Sequence, residues 1–211
     1  MTDTTTDTTT ERQPPSRVLD DEARELLFTN ARTANTFSDD PVDDEQLAAI
    51  YDLMKWAPTG GNTQPLRILF IRSPEAKERL IPHLSEGNRE KTRSAPVVAV
   101  LAADTSFHEH LDRLFPQRPG MKDRLAADDA LRERQAKFNA TLQAGYFVLA
   151  VRAMGLAAGP MGGFDAAGVD KEFFADGTWS SILVVNIGRP GPDAWQDRLP
   201  RLDYEEAVRL A

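Results

Sequence analysis

A chain of 211 residues, 41% apolar and 27% charged, is long enough for one domain with a sizeable core. Its formal net charge of −8 argues against a non-specific nucleic-acid binder, which needs Lys and Arg to neutralise phosphates. The absence of cysteine excludes disulfides, thiolate nucleophiles and Cys-held zinc or iron–sulfur clusters together.

In chain order, Met1 to Ser16 is a Thr/Asp/Gln/Pro tract, with neither the apolar stretch of a secretory signal nor the Arg-rich pattern of a transit peptide. It predicts a disordered tail over residues 1–17, one domain over 18–211, and a cytoplasmic location. No apolar run approaches the roughly 20 residues of a membrane-spanning helix, so no membrane partner is expected. A short helix is predicted over Leu19–Asn30, then a turn-like segment to Pro41. Asp43 is placed to cap a helix over Asp44–Trp56, with Gln46 completing a capping box and Leu47, Ile50, Tyr51 and Met54 at helical spacing. A Pro/Gly/Asn loop leads into a strand at Leu66–Ile71, and Ser73-Pro74 starts another helix. Val97–Leu101 and Ile182–Ile187 are continuous apolar runs, as in strands buried on both faces. Between them a long helical stretch runs from about Leu125 to Met154, with Phe138, Leu142, Gly145, Leu149 and Ala153 along one stripe and Gly155 placed as its C′ residue. Pro192–Pro200 reads as an extended arm able to cross onto a partner, and Tyr204–Leu210 as a last short helix.

Several chemistries lack their motif. There is no phosphate-binding P-loop, no G-x-G-x-x-G after a strand and no G-x-S-x-G elbow. His108-Glu109-His110 is the one His pair, in a polar segment that reads as solvated surface, so no metal site is expected.

Four polar constellations remain. Arg32-Thr33-Ala34-Asn35 places a guanidinium beside a hydroxyl, which suits a phosphate; a helix end followed by a turn would use the same residues. Thr59-Gly60-Gly61-Asn62-Thr63-Gln64 is a loop rich in side-chain amides, suited to the alternating carbonyl and N–H edge of a flavin, or to an ordinary helix-to-strand connection. Asn88-Arg89-Glu90-Lys91 offers a cation for the charge a reduced flavin gathers; a solvated charge run is the plainer alternative. Gly159-Pro160-Met161-Gly162-Gly163-Phe164 is expected as a tight turn whose backbone approaches a flat ligand.

Taken in order, with the buried strands and long helix between them, these segments resemble the nitroreductase family from about Leu26 to the C-terminus. The resemblance is strongest to its malonic semialdehyde reductase branch, through Ala31–Asn35, Leu53–Thr59, Gly87-Asn88 with Lys91-Thr92, Gly159-Pro160-Met161 with Gly163-Phe164-Asp165, and Arg198–Leu202. It implies an α+β three-layer fold, a mixed central sheet flanked by helices, and a homodimer in which a C-terminal arm extends onto the partner subunit. It implies FMN as cofactor and NADH or NADPH as reductant, with ping-pong hydride transfer through flavin N5 and no catalytic side chain. Arg32, Thr33, Asn35 and Arg198 are expected at the phosphate. Thr59, Asn62 and Gln64 are expected near the flavin, partly from the second subunit. Asn88 and Lys91 are expected at the pyrimidine end of the ring, and Pro160, Met161, Gly162 and Gly163 over N5. The implied substrate is a small carbonyl compound, best malonic semialdehyde in pyrimidine breakdown; a broad nitro or quinone reductase and a non-catalytic flavin-binding protein are the alternatives. Asn35 and Gln196 stand where the family usually has cations, and Gly162-Gly163 where many members have Glu-Gly.

Overall fold

A computed structural model describes residues 18–211; the expected tail lies outside the described residues. Helix α1 (Asp21–Arg24) runs on as a wider turn over Glu25–Thr29. Then come α2 (Asp44–Met54), β1 (Leu66–Ile71), α3 (Pro74–Leu80), α4 (Glu86–Ser94), β2 (Val97–Asp104), α5 (Leu111–Leu114), α6 (Met121–Ala126), α7 (Asp129–Ala153), β3 (Ala157–Met161), α8 (Ala166–Phe173), β4 (Trp179–Gly188) and α9 (Tyr204–Ala207). The capping box at Asp43 and Gln46 forms as its spacing requires, and Ser73 caps α3 with Pro74 in the first turn. The long helical stretch breaks in two because the Asp128 carboxylate accepts the Leu131 N–H and starts α7 afresh.

The strand order is β1-β2-β4-β3, with β2 and β4 central. Every residue of β2 is buried, as its unbroken apolar run demands. Alternate residues feed two cores. On one face Val97, Ala99, Leu101, Val185 and Ile187 pack under α2 and α7. On the other, Val98, Val100, Ala102 and Val184 pack with Leu80 and Val169 of α3 and α8, and with Ala34 and Phe37. Burial of each such side chain is worth about 1.5–3 kcal/mol, which makes the two faces the main source of stability.

Several expectations need correction. All three pairings among the described residues are antiparallel, so the sheet they form is not mixed. The stripe Phe138–Ala153 faces away from the sheet: Phe138 is 63% exposed and Leu142 44%. The buried face of α7 instead carries Ala136, Asn139, Ala140, Gln143, Ala144, Phe147 and Ala150, because a helix pressed onto a sheet favours small side chains at the contact. Gly159, Pro160 and Met161 belong to β3 rather than to a turn. Their composition disguises a strand, and Pro160 is tolerated because β3 is at the edge. His108 is 7% exposed, so it is a core residue, not solvated surface.

Candidate functional site

At one end of β3, the segment after α1 lies against the start of the C-terminal arm. Asn35 N–H donates to Ala194 O (3.0 Å), Gly191 N–H to Thr36 O (3.0 Å) and Thr36 Oγ1 to Pro192 O (2.5 Å). Arg32 Nη1 donates to Gln196 O (3.0 Å), and Arg198 Nη2 to Thr29 O (2.6 Å) and Ala31 O (3.3 Å). The front half of the arm is therefore pinned to its own chain, and the exposed apolar residues Leu199, Leu202, Tyr204 and Leu210 begin after it. Arg32, Thr33, Asn35 and Arg198 share a cleft of about 310 Å³ that Arg201 also lines. Arg201 adds a cation beyond those expected, although Asp197 lines the same cleft. The Asn35 amide is turned onto Thr33 O (3.3 Å) and Ala194 O (3.5 Å), so it holds the segment's shape.

At the other end of β3, α4 grips the turn that follows the strand. Gly163 O accepts from Ser85 N–H (3.0 Å) and from Asn88 Nδ2 (3.0 Å). A Cβ on Gly163 would stand 2.9 Å from Ser85 Oγ and 3.1 Å from Asn88 Nδ2, so glycine is required there by α4 itself. Gly162 has open space where a Cβ would go. Behind the turn, buried Thr92 donates to Asn88 O (2.8 Å) and buried Asn186 donates to Thr92 Oγ1 (3.2 Å). Sequence reasoning missed Ser85 and Asn186; Thr92 stood in a matched segment without a role. Lys91, one turn along α4 from Asn88 and on the same side, is half-buried and makes no ion pair among the described residues. Burial pushes its ammonium below the ordinary lysine range.

The Thr59–Gln64 loop is elsewhere. It precedes β1, whereas Arg32, Asn88 and Gly163 flank β3, and these are opposite edges of the sheet. Three inter-strand steps of about 4.8 Å separate those edges by roughly 14 Å. One chain brings the phosphate-end and turn residues to one edge but does not bring the loop to them. The loop is rigidly built. Gly61, Asn62 and Gln64 have φ of 61°, 49° and 43°, and the two non-glycine residues pay for a left-handed backbone. What holds them is α7: Asn139 Oδ1 accepts Gly60 N–H (2.7 Å) and Gln143 Oε1 accepts Leu66 N–H (2.9 Å). Asn62 donates to Leu114 O (2.8 Å) and accepts from Gln64 Nε2 (2.7 Å), so its amide is committed inside the chain. Gln135, Asn139 and Gln143, polar at four-residue spacing on an alanine-rich helix face, were the legible signal for this support.

A flavin phosphate needs clustered donors, and its ring needs a backbone N–H and a cation at the charged edge. The Arg32–Arg198–Arg201 cleft supplies the first. A Gly163 N–H without a backbone acceptor among the described residues, the open side of Gly162 and the carboxylate-free Lys91 supply the second. The residues fit the group.

A three-layer α+β domain with cation-lined and glycine-turn sites at the two ends of an edge strand is the frame of a flavin-binding oxidoreductase. The Nitroreductase family model matches residues 29–189, which take in all four strands and the turn at Gly163 and stop short of Arg198 and Arg201, and the chain belongs to this family. It is 62% identical over 191 residues to a Streptomyces coelicolor protein named "Putative NADH dehydrogenase/NAD(P)H nitroreductase", covering 90% of this chain and 94% of the relative. A protein of the same name from Leptothrix cholodnii is 48% identical over 92% of this chain and 99% of its own length. Among solved structures, a nitroreductase from Exiguobacterium sibiricum described in complex with FMN superposes with a TM-score of 0.77 at 19% identity, over 93% of this chain and 99% of that one, which establishes a shared fold.

Proposed function

We propose that this chain is an FMN-dependent oxidoreductase that takes electrons from NADH or NADPH and reduces a small carbonyl compound. The observation that carries the reading is Lys91: a half-buried ammonium with no carboxylate partner among the described residues, beside the helix turn that holds Gly163. Such a cation is costly unless an anion comes to it. Bound FMN would supply hydride chemistry that no side chain offers. Arg32, Thr33, Arg198 and Arg201 hold the phosphate; Asn88 and the Gly163 N–H meet the ring; Lys91 offsets negative charge at its pyrimidine edge. No side chain serves as nucleophile or general acid. The opposite-edge placement of Thr59, Asn62 and Gln64 supports a homodimer in which each loop completes the partner's site.

The finer reading is reduction of malonic semialdehyde to 3-hydroxypropanoate in pyrimidine breakdown. The matched segments from Ala31 to Leu202 support it, as does the glycine pair Gly162-Gly163, which leaves no carboxylate to repel an anionic aldehyde. The nitro-reductase side of the second reading, a broad nitro or quinone reductase, is favoured instead by the names its relatives carry. Purified protein should show a yellow flavin spectrum that bleaches with NADH or NADPH without oxygen and returns on adding the aldehyde. Protein that neither carries nor takes up FMN sinks the class; bleached protein reoxidised by nitrofurazone but not by the aldehyde selects the second reading.

A further inference from the structure

The loop at Thr59–Gln64 is flanked by a second cleft, of about 440 Å³, that no role above uses. It is lined by Gly60, Arg118, Arg124 and Gln135 with an apolar wall that includes Met121 and Leu125. Among the described residues no acidic side chain lines it, in a protein whose net charge is −8. Among the described residues, neither the Arg118 nor the Arg124 side chain donates a hydrogen bond or makes an ion pair. Two neighbouring cations are engaged instead: Lys122 with Glu109 (2.8 Å) and Arg132 with Asp129 (2.8 Å). The cleft is anchored to the loop. A Cβ on Gly61 would stand 3.0 Å from Met121 Cε and 3.5 Å from Phe115 Cδ1, and Asn62 donates to Leu114 O. The segment carrying Arg118 therefore rides on the backbone of the loop, and whatever the loop approaches, the two guanidiniums approach too.

We infer that Arg118 and Arg124 form an oxyanion-binding site that takes the carboxylate of the substrate. Each guanidinium presents planar paired donors matched to a carboxylate, and Gln135 adds an amide that can donate or accept. A phosphate group of the reductant offers the same chemistry, so the two sources must be separated. The inference rests on the carbonyl-reductase reading for the identity of the ligand, but not for the existence of the site.

The test uses full-chain FMN-loaded protein with malonate, a carboxylate that cannot be reduced, titrated by calorimetry, and malonamide as its uncharged analogue. Malonate should bind, malonamide should not, and the double variant Arg118→Gln/Arg124→Gln should weaken malonate by about tenfold or more, as loss of charged hydrogen bonds does. Arg118→Lys/Arg124→Lys should recover part of that loss, and the flavin spectrum should not change in either variant. In turnover the Gln variant should raise KM for the aldehyde acid and leave KM for propanal alone. A rise in KM for the reductant, measured with a neutral acceptor, assigns the site to a reductant phosphate and overturns the substrate assignment, whether it appears for NADPH alone (the 2′-phosphate) or for NADH as well (the pyrophosphate). Equal malonate affinity in wild type and both variants overturns the site. Intact malonate binding in a protein that reduces no aldehyde leaves the site standing and sinks the carbonyl reading.

Discussion

The two edges of the sheet are built on different principles. At the β3 edge, the candidate residues are presented by backbone: carbonyls of Thr29, Ala31 and Gln196 aim the guanidiniums of Arg198 and Arg32, and the Gly163 carbonyl is clasped by α4. At the β1 edge, the loop is held by side chains of a helix, Asn139 and Gln143, that reach up from the core. The first arrangement keeps donors free for a ligand. The second spends its amides to fix a strained backbone, so its contribution is shape. On the proposed reading, the edges belong to one site only when two copies meet, and each can be damaged separately.

The largest expected effect comes from mixing. Arg32→Ala/Arg198→Ala removes two of the three guanidiniums of the phosphate end, and Asn139→Ala/Asn62→Ala unmakes the loop. The arginine variant should lose flavin binding by well over tenfold, since a charged hydrogen bond contributes about 1.5–3 kcal/mol, and the loop variant should lose it through shape, by displacing the backbone that its amides hold. Refolded together, they should regain about a quarter of wild-type sites, because half the pairs of a two-fold dimer are mixed and each holds one intact site. No recovery, in flavin fluorescence titration, would separate the edges for good.

Gly163→Ala comes next. Its Cβ would press on Ser85 Oγ and the Asn88 amide, so overpacking should cost about 1–3 kcal/mol in denaturant unfolding. Gly162→Ala meets nothing and should leave apo stability alone while weakening flavin binding. Asn139→Ala by itself should cost about 0.5–1.5 kcal/mol for the lost hydrogen bond to the Gly60 N–H, which water can reach, with a matching fall in Tm.

Lys91→Met should have a small effect on stability, opposite in sign to Gly163→Ala and Asn139→Ala. Burial lowers the Lys91 pKa, so the folded state holds the proton less well than the unfolded chain. The charged form opposes folding at neutral pH, and that opposition fades as pH rises through the folded-state value towards the ordinary ~10.4. The variant should melt at or above wild type at pH 7, and the gain should shrink near pH ~10. Lower stability at pH 7 would mean that Lys91 has an in-chain partner.

How much was legible depends on whether a feature is local. The cap at Asp43, the Ser73-Pro74 helix start and the bounds of β1 follow from adjacent residues. The apolar runs of β2 and β4 were legible because a strand buried on both faces needs no alternation, though both strands extend past their runs. The stripe on α7 misled because periodicity reports that a helix has an apolar face, not which neighbour covers it; Ala136, Ala140 and Ala144 bury more completely than Phe138 and Leu142. β3 was hidden by Gly159 and Pro160, residues that only an edge position accommodates.

The dispersed polar segments, taken in order, were enough to mark Arg32, Thr33, Asn88, Lys91, Gly163 and Arg198 as candidates, since donor chemistry is written in residue type. Only the tertiary structure could sort them by edge, turn Asn35 and Asn62 from ligand-facing amides into braces, and add Arg201, Ser85 and the Arg118–Arg124 cleft. The reason is physical: a side chain's polarity is its own, but whether its donors are free depends on which distant backbone carbonyls the fold brings within about 3 Å of it.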